Sequence, residues 1–122
     1  MEHQPHPVNP VEVEHNILTL SNRIANGVGV YSKALQEFKD ADRAFDRAYA
    51  GAYLAAEGSI KDREQQATLA TMQQREARDI AEVKMKHADR LAKALEGELR
   101  AMQSIGASVR AMYGVAGRGE GA

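Results

Sequence analysis

The sequence predicts an all-α protein, an elongated antiparallel helical hairpin of coiled-coil character that assembles into a helical bundle. Three observations predict it. Between Ile17 and Ala56 apolar residues recur every seven positions, a glycine-serine pair at 58 and 59 punctuates the pattern, and a second apolar periodicity runs from Ile80 to Met112. A seven-residue repeat keeps one face of a helix turned toward another helix, whereas a strand needs alternation at every second residue.

Composition fits that class. A chain of 122 residues is one domain at most, and its 43% hydrophobic residues include much alanine, only 5% aromatics and no tryptophan. Such a mixture suits closely packed helices better than a thick globular core. Sixteen basic against seventeen acidic residues give a net charge of −1, so no bulk field steers the molecule toward nucleic acid or anionic lipid. Without cysteine, disulfides and thiolate zinc sites are excluded. No run of about 18 apolar residues occurs, and the start Met-Glu-His-Gln-Pro-His-Pro lacks the basic and apolar parts of a secretory signal, so a soluble intracellular protein without a membrane partner is expected.

Residues 1–10 hold all three prolines and are expected as a disordered tail, with His3 and His6 solvated rather than metal-binding. From Val11 the pattern is helical. One column reads Ile17, Ile24, Tyr31, Phe38, Phe45, Ala52, and the column three later reads Leu20, Gly27, Ala34, Ala41, Ala48, Ala55. Large residues beside small ones make a seam that a second helix can approach closely. A third column, Ser21, Val28, Leu35, Asp42, Tyr49 and Ala56, flanks them. Asn26-Gly27-Val28-Gly29 is the weak point, where a kink and a true break both remain open.

The turn is expected at 57–60. Gly58 suits the left-handed conformation that closes a helix, and Ser59 with Asp62 three residues on has capping-box spacing. The second arm runs from Ile60 to about Tyr113. It is polar through Arg78, and then Ile80, Val83, Ala88, Leu91, Leu95, Leu99, Met102, Ile105, Val109 and Met112 form its seam. Residues 114–122 are expected as a disordered glycine-rich tail, which leaves 11–113 as the helical hairpin. Folding back at Gly58 sets Ile17 near Leu99 and leaves Met102, Ile105, Val109 and Met112 beyond the first arm, uncovered by their own chain. Leu99, Met102, Ile105, Val109, Met112 and Tyr113 are therefore the candidate self-association or partner-binding residues. Because a two-helix hairpin is marginal alone, a homo-oligomer, dimer or tetramer, is expected, with a heterologous protein partner as the sharper alternative.

Catalytic chemistry finds no foothold. Phosphate loops, HExxH, Gly-x-Ser-x-Gly and Glu-x-x-His are all missing, and the pairs Asp40/Asp42 and Glu96/Glu98 point to different sides of a helix. His87 lies beside the seam, where a partly buried neutral histidine is the simpler reading. No catalytic residue, metal or cofactor is assigned, and an enzyme is not expected.

For nucleic acid the candidates are two basic stripes, Lys39, Arg43 and Arg47 on the first arm and Lys86, Arg90, Lys93 and Arg100 on the second. Such stripes can follow the backbone of single-stranded DNA. Glu82, Asp89 and Glu96 precede Lys86, Lys93 and Arg100 by four residues, which predicts intrahelical ion pairs that neutralise much of the second stripe. Tyr49 and Tyr53, one turn apart, read as packing at a helix interface with their hydroxyls in water.

The residues Arg47-Ala48-Tyr49, Ala52-Tyr53-Leu54, Ala56, Gly58-Ser59, Lys61, Arg63 and Ala67 resemble a pattern found in small helical proteins of tailed phages and prophages. Genes of that kind often sit among replication and recombination genes. The resemblance covers most of residues 30–113 and implies a helical hairpin in the cytoplasm of a bacterial host, with no site residues carried over. The expected function is a non-enzymatic phage-type interaction or assembly protein. An accessory factor for single-stranded DNA in recombination or replication, and a virion or assembly component, are the alternatives.

Overall fold

The computed structural model describes residues 9–120, in which three helices follow one another: α1 (Pro10–Ala55), α2 (Ile60–Ala70) and α3 (Met72–Glu120). The fold is all-α, and within each of two compact units a segment of α1 packs against a segment of α3. Among the described residues there is no strand.

α1 begins one residue earlier than its apolar pattern suggests. The Glu12 amide donates to Asn9 Oδ1 at 2.9 Å, so Asn9 caps the helix and Pro10 takes the first helical position, where a missing N–H costs nothing. The remainder of the expected N-terminal tail, with His3 and His6, lies outside the described residues. α1 then continues through Gly27 and Gly29 without a break. The loss of about 1 kcal/mol per glycine is spread over 46 residues whose helicity rests on packing along one face.

The connection is closed by its own side chains. Gly58 has φ 108°, the one positive φ among the described residues. Ser59 Oγ accepts from the Asp62 amide at 3.1 Å while the Ser59 amide donates to Asp62 Oδ2 at 3.3 Å, a complete capping box. Arg63 Nε donates to the Gly58 carbonyl at 3.2 Å, and Gln66 Nε2 donates to the Glu57 carbonyl at 2.8 Å. Loop carbonyls that the helix ends leave unpaired thus find donors on α2.

The expected second arm is interrupted at Thr71. Its hydroxyl donates to the Ala67 carbonyl at 2.7 Å, occupying the acceptor an α-helical amide at 71 would use, and the Thr71 amide turns to Thr68 at 3.3 Å instead. The residue leaves helical geometry at φ −116°, ψ 19° and is 2% exposed. Hydroxyl bonding to the preceding turn is a known way for threonine to bend a helix. At the other end α3 continues to Glu120, so the stretch expected as a disordered tail is helical through 120. Among the described residues none of its glycines takes the left-handed conformation that stops a helix.

The chain divides into two compact units, Met1–Gly27 with Leu91–Ala122, and Val28–Arg90. In the first, Val13, Leu20, Leu95 and Val109 are buried, at 1% to 8% exposure, and Gly106 is buried with them. Gly106 faces Val13 and Ile17, and Gly27 faces Leu95. Ile17 therefore lies against Gly106, seven residues or about two turns from the Leu99 position that simple folding back gives. In the second unit residues 60–66 are exposed or half-buried, and the first buried residue of α2 is Ala67.

In the second unit Ala56, Ala67 and Thr71 are buried, and the half-buried positions of α1 follow the expected columns from Tyr31 through Ala52. Ala55 is exposed and Ala56 takes the last buried place. Phe45 lies beside Tyr49, ring centres 6.1 Å apart, and the Arg78 guanidinium sits 5.2 Å from the Phe45 centroid. Arg78 also reaches Asp42 at 3.5 Å.

Candidate interaction surface

The seam of α3 keeps Ala88, Leu95, Leu99, Met102 and Val109 of the expected set and departs from it elsewhere. Buried and half-buried positions recur at three and four residues as Thr71, Gln74, Arg78, Ala81, Met85, Ala88, Ala92, Leu95, Leu99, Met102, Gly106 and Val109. Ile80, Val83, Leu91, Ile105 and Met112, read from the sequence as seam, are instead 44% to 69% exposed. Alanine, glycine and even Gln74 and Arg78 face inward because a close approach of two helices needs small residues or long flexible stems. Size alone did not mark the inward face.

This corrects the candidate association residues. Val109 is buried, Leu99 and Met102 are half-buried, and all three belong to the seam of the first unit, so they are not uncovered. Ile105, Met112 and Tyr113 are exposed, at 44%, 69% and 55%. Val11 and Leu18 on α1, and Leu54 and Ile60 around the turn, are exposed large apolar residues that were not among the association candidates, and Leu69, expected to be buried, is exposed as well. Leu18 and Leu54 fall outside the three columns of the first arm.

The basic stripes are exposed but partly compensated. Arg43 pairs with Asp40 at 3.0 Å, and Gln36 donates to the same carboxylate oxygen at 2.9 Å. The Arg43 bond, then the Gln36 bond, hold the Asp40 carboxyl below its ordinary range. Lys86 pairs with Glu82 at 2.9 Å at the expected four-residue spacing, and its hydrogen bond lowers the Glu82 carboxyl. Asp89 and Lys93 are also engaged, whereas Glu96 and Arg100 make no ion pair. Lys39, Arg47, Arg90 and Arg100 are exposed. Pairs this open to solvent contribute little to stability, and their effect is to reduce the net positive field of each stripe.

Within the second unit a polar layer interrupts the seam. Arg78 meets Asp42 and Phe45, yet its Nε is buried without a hydrogen-bond partner, as is Gln74 Oε1 close by in sequence. An open cleft of about 490 Å³ near the turn is lined by Tyr49, Ala50, Tyr53, Leu54 and Glu64. Tyr49 and Tyr53 are half-buried there. His87 is exposed rather than partly buried. No three His, Asp or Glu side chains come together among the described residues, and no helix among them is long and apolar enough to cross a membrane.

Compared with protein-family models, with curated proteins and with solved structures, the chain matches none.

Proposed function

We propose that this protein is a non-enzymatic, self-associating helical interaction or assembly protein. The observation that supports the reading most is the imbalance between buried and exposed apolar side chains. Among the described residues six hydrophobic ones are buried, two of them alanines, while fourteen large ones are at least 44% exposed. At about 25 cal/mol per Å² of apolar surface buried, so thin an interior offers little against the entropy of ordering more than a hundred residues. Association with further helices is the direct way to enlarge it.

A bacteriophage setting is part of the proposal and rests on the resemblance of residues 47–67 to helical phage proteins. The accessory role with single-stranded DNA is the weaker reading because Arg43, Lys86 and Lys93 are already engaged with other groups. Light scattering on purified protein, alone and with a single-stranded oligonucleotide, tests both. A discrete oligomer indifferent to DNA supports the interaction protein. A mass increase with DNA that vanishes at high salt transfers the lead to the DNA reading.

A further inference from the structure

We propose that the face of α3 carrying Leu91 and Ile105 is where a second copy of this chain packs, the two α3 helices running antiparallel about a two-fold axis between Leu99 and Arg100. The inference rests on the self-association reading above and adds to it which face is used and in what register.

The occupant follows from the pattern and the surface area. Leu91, Ile105 and Met112 fall in one column of the seven-residue repeat, just outside the seam, and are 53%, 44% and 69% exposed. The next column outward is small and exposed: Ala94, Ala101 and Ser108. An antiparallel copy centred between 99 and 100 sets Leu91 over Ser108 of the second copy and Ile105 over its Ala94. Large thus meets small at both ends of the contact, the same arrangement by which Val13 and Ile17 meet Gly106 inside the chain. A Cβ at Gly97, beside this face, meets no atom within 4 Å in the single chain.

The accessible area is 9,455 Å², whereas a compact chain of 13.3 kDa exposes roughly 6,500 Å². The surplus is several times the roughly 800 Å² per partner that a stable interface buries. The exposed apolar residues on α1 of the same unit are less suited: Val11 shares its cleft with Glu12, His15 and Asn16. Glu98 is the charged residue of that column between Leu91 and Met112, and it sits near the axis. Its removal should tighten the contact.

The test combines light scattering with a cross-link. Wild-type protein is expected at twice 13.3 kDa or a higher even multiple. Leu91→Glu and Ile105→Glu should each weaken association about a hundredfold, Glu98→Ala should strengthen it, and Leu54→Glu on α1 should leave it unchanged. Because the chain has no cysteine, Ala101→Cys provides a single thiol close to the axis. It should give a disulfide-linked dimer under mild oxidation, while Asn22→Cys on α1 should not. The cross-link decides the matter should a charged variant fail to fold. A monomeric wild type would overturn the self-association reading and this inference with it. An oligomer that survives both charged variants and gives no dimer through Cys at 101 would overturn this inference alone.

Discussion

A Cβ built on Gly106 would lie 2.9 Å from Val13 Cγ1, closer than real Cβ atoms come to a neighbour, and 3.6 Å from Ile17 Cδ1. The contact joins the most deeply buried large side chain of the described chain to a glycine that helix propensity alone would disfavour. Gly106→Ala should therefore lower stability by about 1–3 kcal/mol despite alanine's better propensity, since Val13 must move within a packed face. Gly29→Ala, where an added methyl meets open space, should stabilise by about 0.5–1 kcal/mol. Urea denaturation of the two variants, read by helical circular dichroism, checks both signs.

The connection depends on Gly58 and Ser59. Gly58→Ala places a side chain at φ 108° with its Cβ 3.0 Å from Asp62 Oδ2, so a loss of about 1–2 kcal/mol is expected. Ser59→Ala leaves the Asp62 amide uncapped and should cost about 1 kcal/mol. Equal stability of either variant and wild type in thermal unfolding would show that the turn does not need this geometry.

Much of this architecture was legible in the sequence, for identifiable reasons. The columns from Ile17 to Ala52 alternate large and small residues on α1, and the Gly58-Ser59-Asp62 signal is local, so both could be read without knowing the partner helix. The inward face of α3 could be read only in part, because Ala81, Ala92 and Gly106 carry no size signal and Ile80, Leu91 and Ile105 drew the reading to a neighbouring column. Leu99, Met102 and Val109 were expected to be uncovered because the simple fold-back register stopped short of them, whereas Ile17 reaches Gly106 and covers that stretch; Ile105, Met112 and Tyr113 are exposed. Thr71 was invisible for another reason. One hydroxyl competing for one carbonyl decides the break, and nothing in periodicity reports it.

Thr71→Val keeps the shape and removes the donor to the Ala67 carbonyl. The expected cost is about 1–3 kcal/mol where that buried carbonyl stays unpaired. Slower amide exchange at Thr71 in the variant would instead mean that the amide has reclaimed the carbonyl and that α2 and α3 have merged.

Arg78 contributes through its stem and its stacking more than through its charge. Asp42 is 44% exposed at the side chain and can be hydrated without its partner, while Arg78 Nε is buried and unpaired. Arg78→Met should stay within about 1 kcal/mol of wild type, and Arg78→Ala should lose about 1–2 kcal/mol more by uncovering Phe45. The reverse order in denaturant titrations would assign the ion pair the larger part.

The two perturbed carboxylates predict the acid behaviour. Asp40 and Glu82 are held below ordinary values of 3.8 and 4.5 by Arg43 and Lys86 respectively. Their contribution is present above those values and is lost as pH falls through the lower folded ones. Stability from these pairs should be flat from neutral pH to about 5 and decline below about 4. Asp40→Asn should flatten that decline, which a series of urea midpoints against pH resolves.

Self-association is the central claim, and sedimentation equilibrium of the full chain across low to high micromolar concentration tests it most directly. The account predicts a discrete species at an even multiple of 13.3 kDa whose helicity falls as dilution releases single chains. A fully helical monomer over the whole range, indifferent to concentration, would contradict it.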